Sequence, residues 1–165
     1  MGNHKVALAV GFMVLILLPG GCANVMRKTE LALNQMAYKP GVQIVATYEE
    51  TRKKYHCYNY KRAFLEDFQF RPSTIAPGEQ VLNRFVYASC FSESIHGKII
   101  RKVLFRGRTI VTDPTDYDFI PGAWAVTAFI KIPPHAKTGD YTFKLELQVG
   151  DQRIRKSYPF KILRP

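Results

Sequence analysis

The sequence predicts an all-β protein, an antiparallel β-sandwich preceded by a signal helix and a short tether. Three observations carry that prediction. The run Tyr141 to Val149 alternates strictly, with Tyr141, Phe143, Leu145, Leu147 and Val149 on one face and Thr142, Lys144, Glu146 and Gln148 on the other. Successive side chains of a strand point to opposite faces, so this run describes a sheet with one dry and one wet side. A second run, Trp124, Val126, Ala128, Ile130 and Ile132, keeps the same period, with Phe129 the exception on the opposite face. Turn-forming residues recur roughly every 8–12 positions, the spacing of a sandwich of about seven strands.

The 165 residues suit one domain with an extension: a leader over residues 1–21, a tether and basic segment over 22–61, and the sandwich over 62–165. The leader has a weak cationic start, His4 and Lys5, and an apolar run from Val6 to Leu18 that breaks at Pro19-Gly20-Gly21-Cys22. A membrane-spanning helix needs about 20 apolar residues, and this run is shorter. Such runs, backed by small residues, are export signals removed from the mature chain.

Leu18-Pro19-Gly20-Gly21-Cys22 resembles the lipobox of bacterial lipoproteins. Gly20, Gly21 and Cys22 match the pattern, while Pro19 stands where that family usually has an aliphatic residue. The resemblance implies cleavage before Cys22 and lipidation of its thiol, hence attachment to a membrane through an N-terminal lipid. Acyl chains contribute ~0.8 kcal/mol per buried methylene, so two or three hold a protein firmly. Ala23 follows the cysteine where Asp would signal retention, which by resemblance to diderm lipoproteins implies the outer membrane, facing the periplasm. Ordinary cleavage after Ala23, with Gly21 and Ala23 as the small residues, is the competing reading and would release a secreted protein. Either way Cys57 and Cys90 remain, an even pair in an oxidising compartment and an expected disulfide; two unrelated buried thiols are the alternative.

Beyond the tether, 23–40, Pro40-Gly41 stops any short helix, and Val42 to Tyr48 reads as a strand. From Glu49 to Lys54 the charges thicken, and the sequence assigns no element there. Phe64, Phe68 and Phe70 share one parity in the next run, and Arg71 to Glu79 is a loop by its Pro and Gly content. Pairing across that loop with Arg71 opposite Gln80 sets Cys57 opposite Ser94, four places beyond Cys90. A bulge or bend closes that gap, which makes the Cys57–Cys90 bridge geometrically reasonable. Lys98 to Thr112 reads as a hairpin around Arg106-Gly107, with neither face of its first strand purely apolar. Asp113, Asp116 and Asp118 then supply about half of the six or more oxygen ligands that a calcium loop needs, and Asp is also an ordinary turn residue. A Gly150-Asp151 turn pairs Leu147 with Ile154, Phe143 with Tyr158, and Glu146 with Arg155. Pro159 has no N–H, so the last strand should be an edge there.

The loop Pro133 to Asp140 leading into Tyr141 resembles the E–F corner of bacterial immunoglobulin-like domains. The resemblance covers residues 62–163 and implies that the Tyr141 hydroxyl reaches back to the loop backbone. Phe143 stands where antibody-type domains carry a cysteine, so it implies no inter-sheet disulfide of that kind. The fold itself hosts many functions.

The chain carries a formal net charge of +11. Loss of residues 1–21 removes only Lys5 and leaves 23 Lys plus Arg against 13 Asp plus Glu, a net +10. An exported protein of that charge is drawn to anionic partners, unless the charge serves solubility alone. The densest patch is Arg52, Lys53, Lys54, Tyr55, Tyr58, Tyr60, Lys61 and Arg62, which contains no acid. Cations with interleaved aromatics can stack on and neutralise a single-stranded nucleic acid or a glycan, and outside the cytoplasm nucleic acid is not expected. The plain alternative is a solvated strand whose tyrosines cover the sandwich edge.

No nucleophile context, phosphate-cradling glycine loop or metal-ligand spacing is present; His56, His96 and His135 are scattered. Adjacent carboxylates such as Glu66 and Asp67 point to opposite faces of a strand and cannot share a substrate. The expectation is a non-catalytic envelope lipoprotein without cofactor or metal, binding an envelope protein or an anionic envelope polymer. Contact would run through Arg52 to Arg62 or through the outward row Lys144, Arg153 and Arg155. A glycan-binding or adhesion module using Tyr55, Tyr58 and Tyr60 is the alternative, and a small envelope enzyme a third.

Overall fold

The computed structural model describes residues 41–58 and 60–164. The leader, Cys22 and the tether lie outside the described residues. Among the described residues, nine strands and one helix form two layers. The strands are β1 (Val42–Ala46), β2 (Ala63–Arg71), β3 (Thr74–Ile75), β4 (Gln80–Ser89), β5 (Ile95–Phe105), β6 (Arg108–Phe119), β7 (Gly122–Lys131), β8 (Gly139–Val149) and β9 (Gln152–Ile162); the helix α1 spans Tyr48–Tyr55. The first sheet has the order β1-β7-β4-β2 and the second β3-β9-β8-β5-β6. All pairings are antiparallel except β3 with β9. No helix among the described residues is long and apolar enough to cross a membrane.

The alternating strands form the core as their period requires. Tyr141, Phe143, Leu145, Leu147 and Val149 are all buried, facing Val81, Phe85, Tyr87, Trp124 and Val126 of the first sheet. Phe70 stacks on Phe143 at 4.5 Å between ring centroids and tilts against Phe160 at 5.0 Å. Aromatic pairs at such distances add about 0.5–1.5 kcal/mol beyond the area they bury. The β8–β9 hairpin has the expected register, with Leu147 opposite Ile154, Phe143 opposite Tyr158 and Glu146 opposite Arg155. Phe129 points outward and is 68% exposed. The Tyr141 hydroxyl donates to the Lys137 carbonyl at 2.7 Å. β9 gains its second neighbour, β3, only at Lys161 and Ile162, so the strand is an edge at Pro159.

Four details differ from the sequence reading. β2 and β4 pair with Arg71 opposite Leu82, not Gln80, and the register shifts between Leu65 and Asp67. That bulge reverses parity: Ala63 and Leu65 join the core together with Phe68 and Phe70, and Phe64 is left on the outer face. Asp113 to Asp118, read as a turn or a partial calcium loop, lies inside β6. Each of its carboxylates faces a partner across the ladder: Asp113 the guanidinium of Arg101 at 3.9 Å, Asp116 the ammonium of Lys98 at 3.5 Å, and Asp118 the imidazole of His96 at 2.8 Å. Glu49 to Lys54 is helical, closed by a capping box in which Thr47 Oγ1 accepts from the Glu50 N–H and Glu50 accepts from the Thr47 N–H. β1 and α1, both before residue 62, are integral to the sandwich: β1 pairs with β7 and α1 packs on it.

Candidate functional site

The basic-aromatic segment is a helix end and a turn rather than a strand. α1 stops at His56, whose positive φ of 52° lets the chain reverse, and the Cys57 N–H donates to the Arg52 carbonyl at 3.1 Å. That reversal brings Cys57 to Cys90, with a Cα–Cα separation of 5.4 Å, and the two form a disulfide. The outer face of the first sheet beneath is built from small or closely packed residues, Val86, Ala88, Ala123 and Ala125, which admit the helix and the bridge.

The eight residues divide by what the fold does to them. Tyr55 turns inward: its ring stacks on Phe64 at 4.7 Å and 12°, and its hydroxyl donates to Glu66 Oε1 at 2.5 Å. Burial, reinforced by that bond, pushes its phenol pKa up. The Lys54 ammonium donates to the same carboxylate at 2.9 Å, which holds the lysine pKa above its usual value. The fold thus supplies, from β2, an acid that the segment itself lacks. Arg52 lies over the Tyr58 ring at 4.8 Å and 3.9 Å from Glu49. Tyr60 donates to the Tyr55 carbonyl and meets Phe64 edge-on. Tyr58 and Tyr60 keep 58% and 39% of their surface open, so they, and not Tyr55, are the aromatic faces a ligand can reach. Lys53, Lys61 and Arg62 are exposed, and no ion pair engages them among the described residues.

Three surface depressions carry the charge around the molecule. The first, about 390 Å³, lies over the disulfide and is lined by Arg52, Tyr58, Tyr60 and Lys61. The second, about 610 Å³, runs between the starts of β2 and β9 and joins Arg62 to Arg153, Arg155 and Lys156. Here the sheets are tied by the Ala63 N–H, which donates to Gln152 Oε1 at 2.7 Å. The third, about 380 Å³, shares Arg155 and Lys156 with the second and continues to Lys144 and Lys102. Lys102 and Lys144 are direct cross-strand partners, a like-charge placement that destabilises a sheet. Among the described residues the one acid lining these depressions is Glu146, which accepts from Gln148 at 2.8 Å and from Arg155 Nε at 3.0 Å. Those two bonds hold its carboxyl pKa below the ordinary range. Sequence reading named both ends of this track, Arg52 to Arg62 and Lys144, Arg153 and Arg155. It missed Lys102 and Lys156, because only the β5–β8 and β2–β9 neighbourhoods bring them in.

A second polar feature lies inside the sandwich. Arg101 projects from the inner face of β5, and its side chain is only 11% exposed. Its Nε donates to Asn83 Oδ1 at 3.4 Å, and burial pushes its pKa down.

No cluster of three or more His, Cys, Asp or Glu placed to hold a metal occurs among the described residues. No family model matches the chain, and no curated protein matches it. Solved structures show partial likeness. The sporulation control protein Spo0M of Bacillus subtilis aligns with a TM-score of 0.49 at 11% identity, over 62% of this chain and 50% of that one. An alkylpurine DNA glycosylase of Pseudomonas fluorescens aligns at 0.47 and 11%, over 62% and 30% of the two chains. A β-glucosidase of Erythrobacter marinus aligns at 0.46 and 6%, over 63% and 16%. The chain spans half or less of the length of these structures, and likeness at this level carries no information on activity or ligand.

Proposed function

We propose that this chain is an envelope lipoprotein, anchored through Cys22, whose immunoglobulin-like sandwich binds an extended anionic partner without catalysing a reaction. The supporting observation is the set of cations that line two depressions with shared walls, Arg62, Arg153, Arg155, Lys156, Lys144 and Lys102, with Arg52 and Lys61 lining a third that adjoins through the chain neighbours Lys61 and Arg62. A row of charge running over three depressions fits a polymer, or an elongated acidic face of an envelope protein, better than a compact ligand. The Lys102–Lys144 pair opposes folding where it stands, and an anion laid between the two would relieve that repulsion. Anchoring to the outer membrane and placement in the periplasm follow from the lipobox resemblance alone.

The test is retention of the full chain on dextran sulfate against neutral dextran. Retention on the sulfated polymer should fall steeply with salt, since exposed charges are screened over about 10 Å at 0.1 M. The combined variant Arg62→Ser, Arg153→Ser, Lys102→Ser should lose about tenfold or more in affinity. Equal retention on both matrices, or an unaffected triple variant, sinks the reading. Membrane release of Cys22→Ser, with the loss of a diacylglyceryl group from the intact mass, checks the anchor separately.

The exposure of Tyr58 and Tyr60 favours a second reading, a glycan-binding module. On that reading Tyr58→Ala and Tyr60→Ala abolish binding to a neutral glycan, and salt leaves it unchanged.

A further inference from the structure

Among the described residues, the side of the sandwich formed by β2 and β9 leaves strand edges open. β2 ends the first sheet, and β9 has a second neighbour, β3, only at Lys161 and Ile162. The β8–β9 register runs unbroken from Gly139–Ile162 to Val149–Gln152. In such a ladder the N–H and C=O of one residue point the same way, and the direction alternates along the strand. The Lys161 N–H points away from β8, since it donates to the Ser73 carbonyl at 2.9 Å. The backbone groups of Arg153, Arg155, Ser157 and Pro159 therefore point to that same open side. Pro159 fits this parity, because a residue without an N–H is accepted where no ladder bond is lost. No backbone partner engages the N–H groups of Arg153, Arg155 and Ser157 among the described residues. Such a row is a template for one more strand.

The side chains along this edge say which strand. Cross-strand partners share a face, so Arg155 lies outside with Glu146, and Arg153 outside with Gln148. Ile154 and Lys156 have the opposite parity, that of Leu147 and Leu145. The groove of about 610 Å³ between β9 and the start of β2 sets Arg62 and Leu65 beside them. A polymer laid on the outer face of the sheet meets Arg153 and Arg155 but none of the backbone groups along the edge. An extended polypeptide in the plane of the sheet meets both, because its backbone completes the row and its alternate side chains go to both faces. We infer that an acidic segment of a partner protein adds to β9 as a further strand. Its backbone pairs with Arg153, Arg155 and Ser157, its carboxylates meet Arg153 and Arg155 on one face and Lys156 on the other, and an apolar side chain sits against Ile154 and Leu65. A second copy of this chain does not fit, since β9 against its own copy sets like charges opposite one another. The strand addition depends on the basic track being the binding surface, and it narrows the partner to a polypeptide.

The experiment is hydrogen exchange at single-amide resolution on the full chain, free and with either of two capped peptides in which glutamates flank a central valine. The second peptide has every backbone amide N-methylated, which keeps the charge and removes the donors. The amides of Arg153, Arg155 and Ser157 should exchange freely in the free chain and slow about tenfold or more with the first peptide, while those of Ile154 and Lys156, which face β8, change less. The methylated peptide should bind about tenfold or more weakly. Ser157→Pro deletes one edge N–H and no charge, at a position oriented like Pro159, and should weaken the first peptide about threefold or more. Equal binding of the two peptides, or no slowing at the three amides, overturns the strand addition while retention on dextran sulfate keeps the charge-driven reading in place. Failure to bind either peptide or dextran sulfate overturns both. Slow exchange at the three amides in the free chain would show the edge already occupied, and so also overturns the strand addition.

Discussion

The two sheets treat their outer faces in opposite ways. The first sheet's is covered near the ends of β4 and the start of β7 by the chain itself: small residues there accept α1, and the Cys57–Cys90 bridge fastens the cover. The second sheet's outer face carries no helix among the described residues and presents Lys98, Lys102, Lys144, Arg153 and Arg155. Apolar surface removed from water contributes about 25 cal/mol per Å², so the covered face adds to stability. The bare face holds like charges against each other and detracts from it. One face is finished by folding, and on the proposed reading an anion would complete the other.

That contrast can be broken at either face. The largest effect is expected from Cys57→Ser with Cys90→Ser, which frees a bridge spanning 33 residues. Loss of stability should be about 2–4 kcal/mol by denaturant titration, with α1 losing amide protection before β8. Next is Thr51→Val. The Thr51 hydroxyl is buried on the inner side of α1 with no hydrogen-bond partner among the described residues, and the isosteric methyl should raise stability by about 1 kcal/mol. An unchanged midpoint would mean that the hydroxyl finds a partner in solution.

On the bare face, Glu146 has its pKa depressed by Gln148 and Arg155. A carboxyl depressed in the folded state stabilises above its unfolded pKa, and that contribution is lost as pH falls through the folded value. Glu146→Gln should therefore flatten this part of the acid limb of a stability–pH curve, by a few tenths of a kcal/mol given the exposure of Arg155. The smallest stability effect is the most telling. Lys144→Ser relieves the repulsion with Lys102 and should raise stability by a few tenths of a kcal/mol. The same variant should weaken retention on dextran sulfate. Loss of stability together with unchanged retention would remove the case for an anion at this face.

Legibility varied with how local the deciding interaction is. The β8–β9 hairpin was readable because two alternating runs and a two-residue turn agree on one register. The Tyr141 corner was readable from a resemblance carried within nine residues. The first part of β6, Arg108 to Thr112, was read as the return strand of a hairpin; its continuation from Asp113 was not, since an edge strand exposed on both faces has no reason to alternate, and its three aspartates imitate a turn. α1 was not readable either: at eight residues it is too short to be stable alone, and its cap, the bridge and the sheet beneath it hold it.

The sequence by itself determined the period of the main strands, the hairpin turns, the even pair of cysteines and the excess of positive charge, all properties of neighbouring residues or of composition. The tertiary structure alone decided that Phe64 faces outward against Tyr55, that Glu66 neutralises Lys54, and that Arg62 joins Arg153. It also decided that Arg101 is largely enclosed by the sandwich and that an apolar cavity opens beside β6. The physical reason is common to all of these. A one-residue bulge reverses every side chain beyond it, and contacts between distant strands depend on registers set by the packing of the whole core.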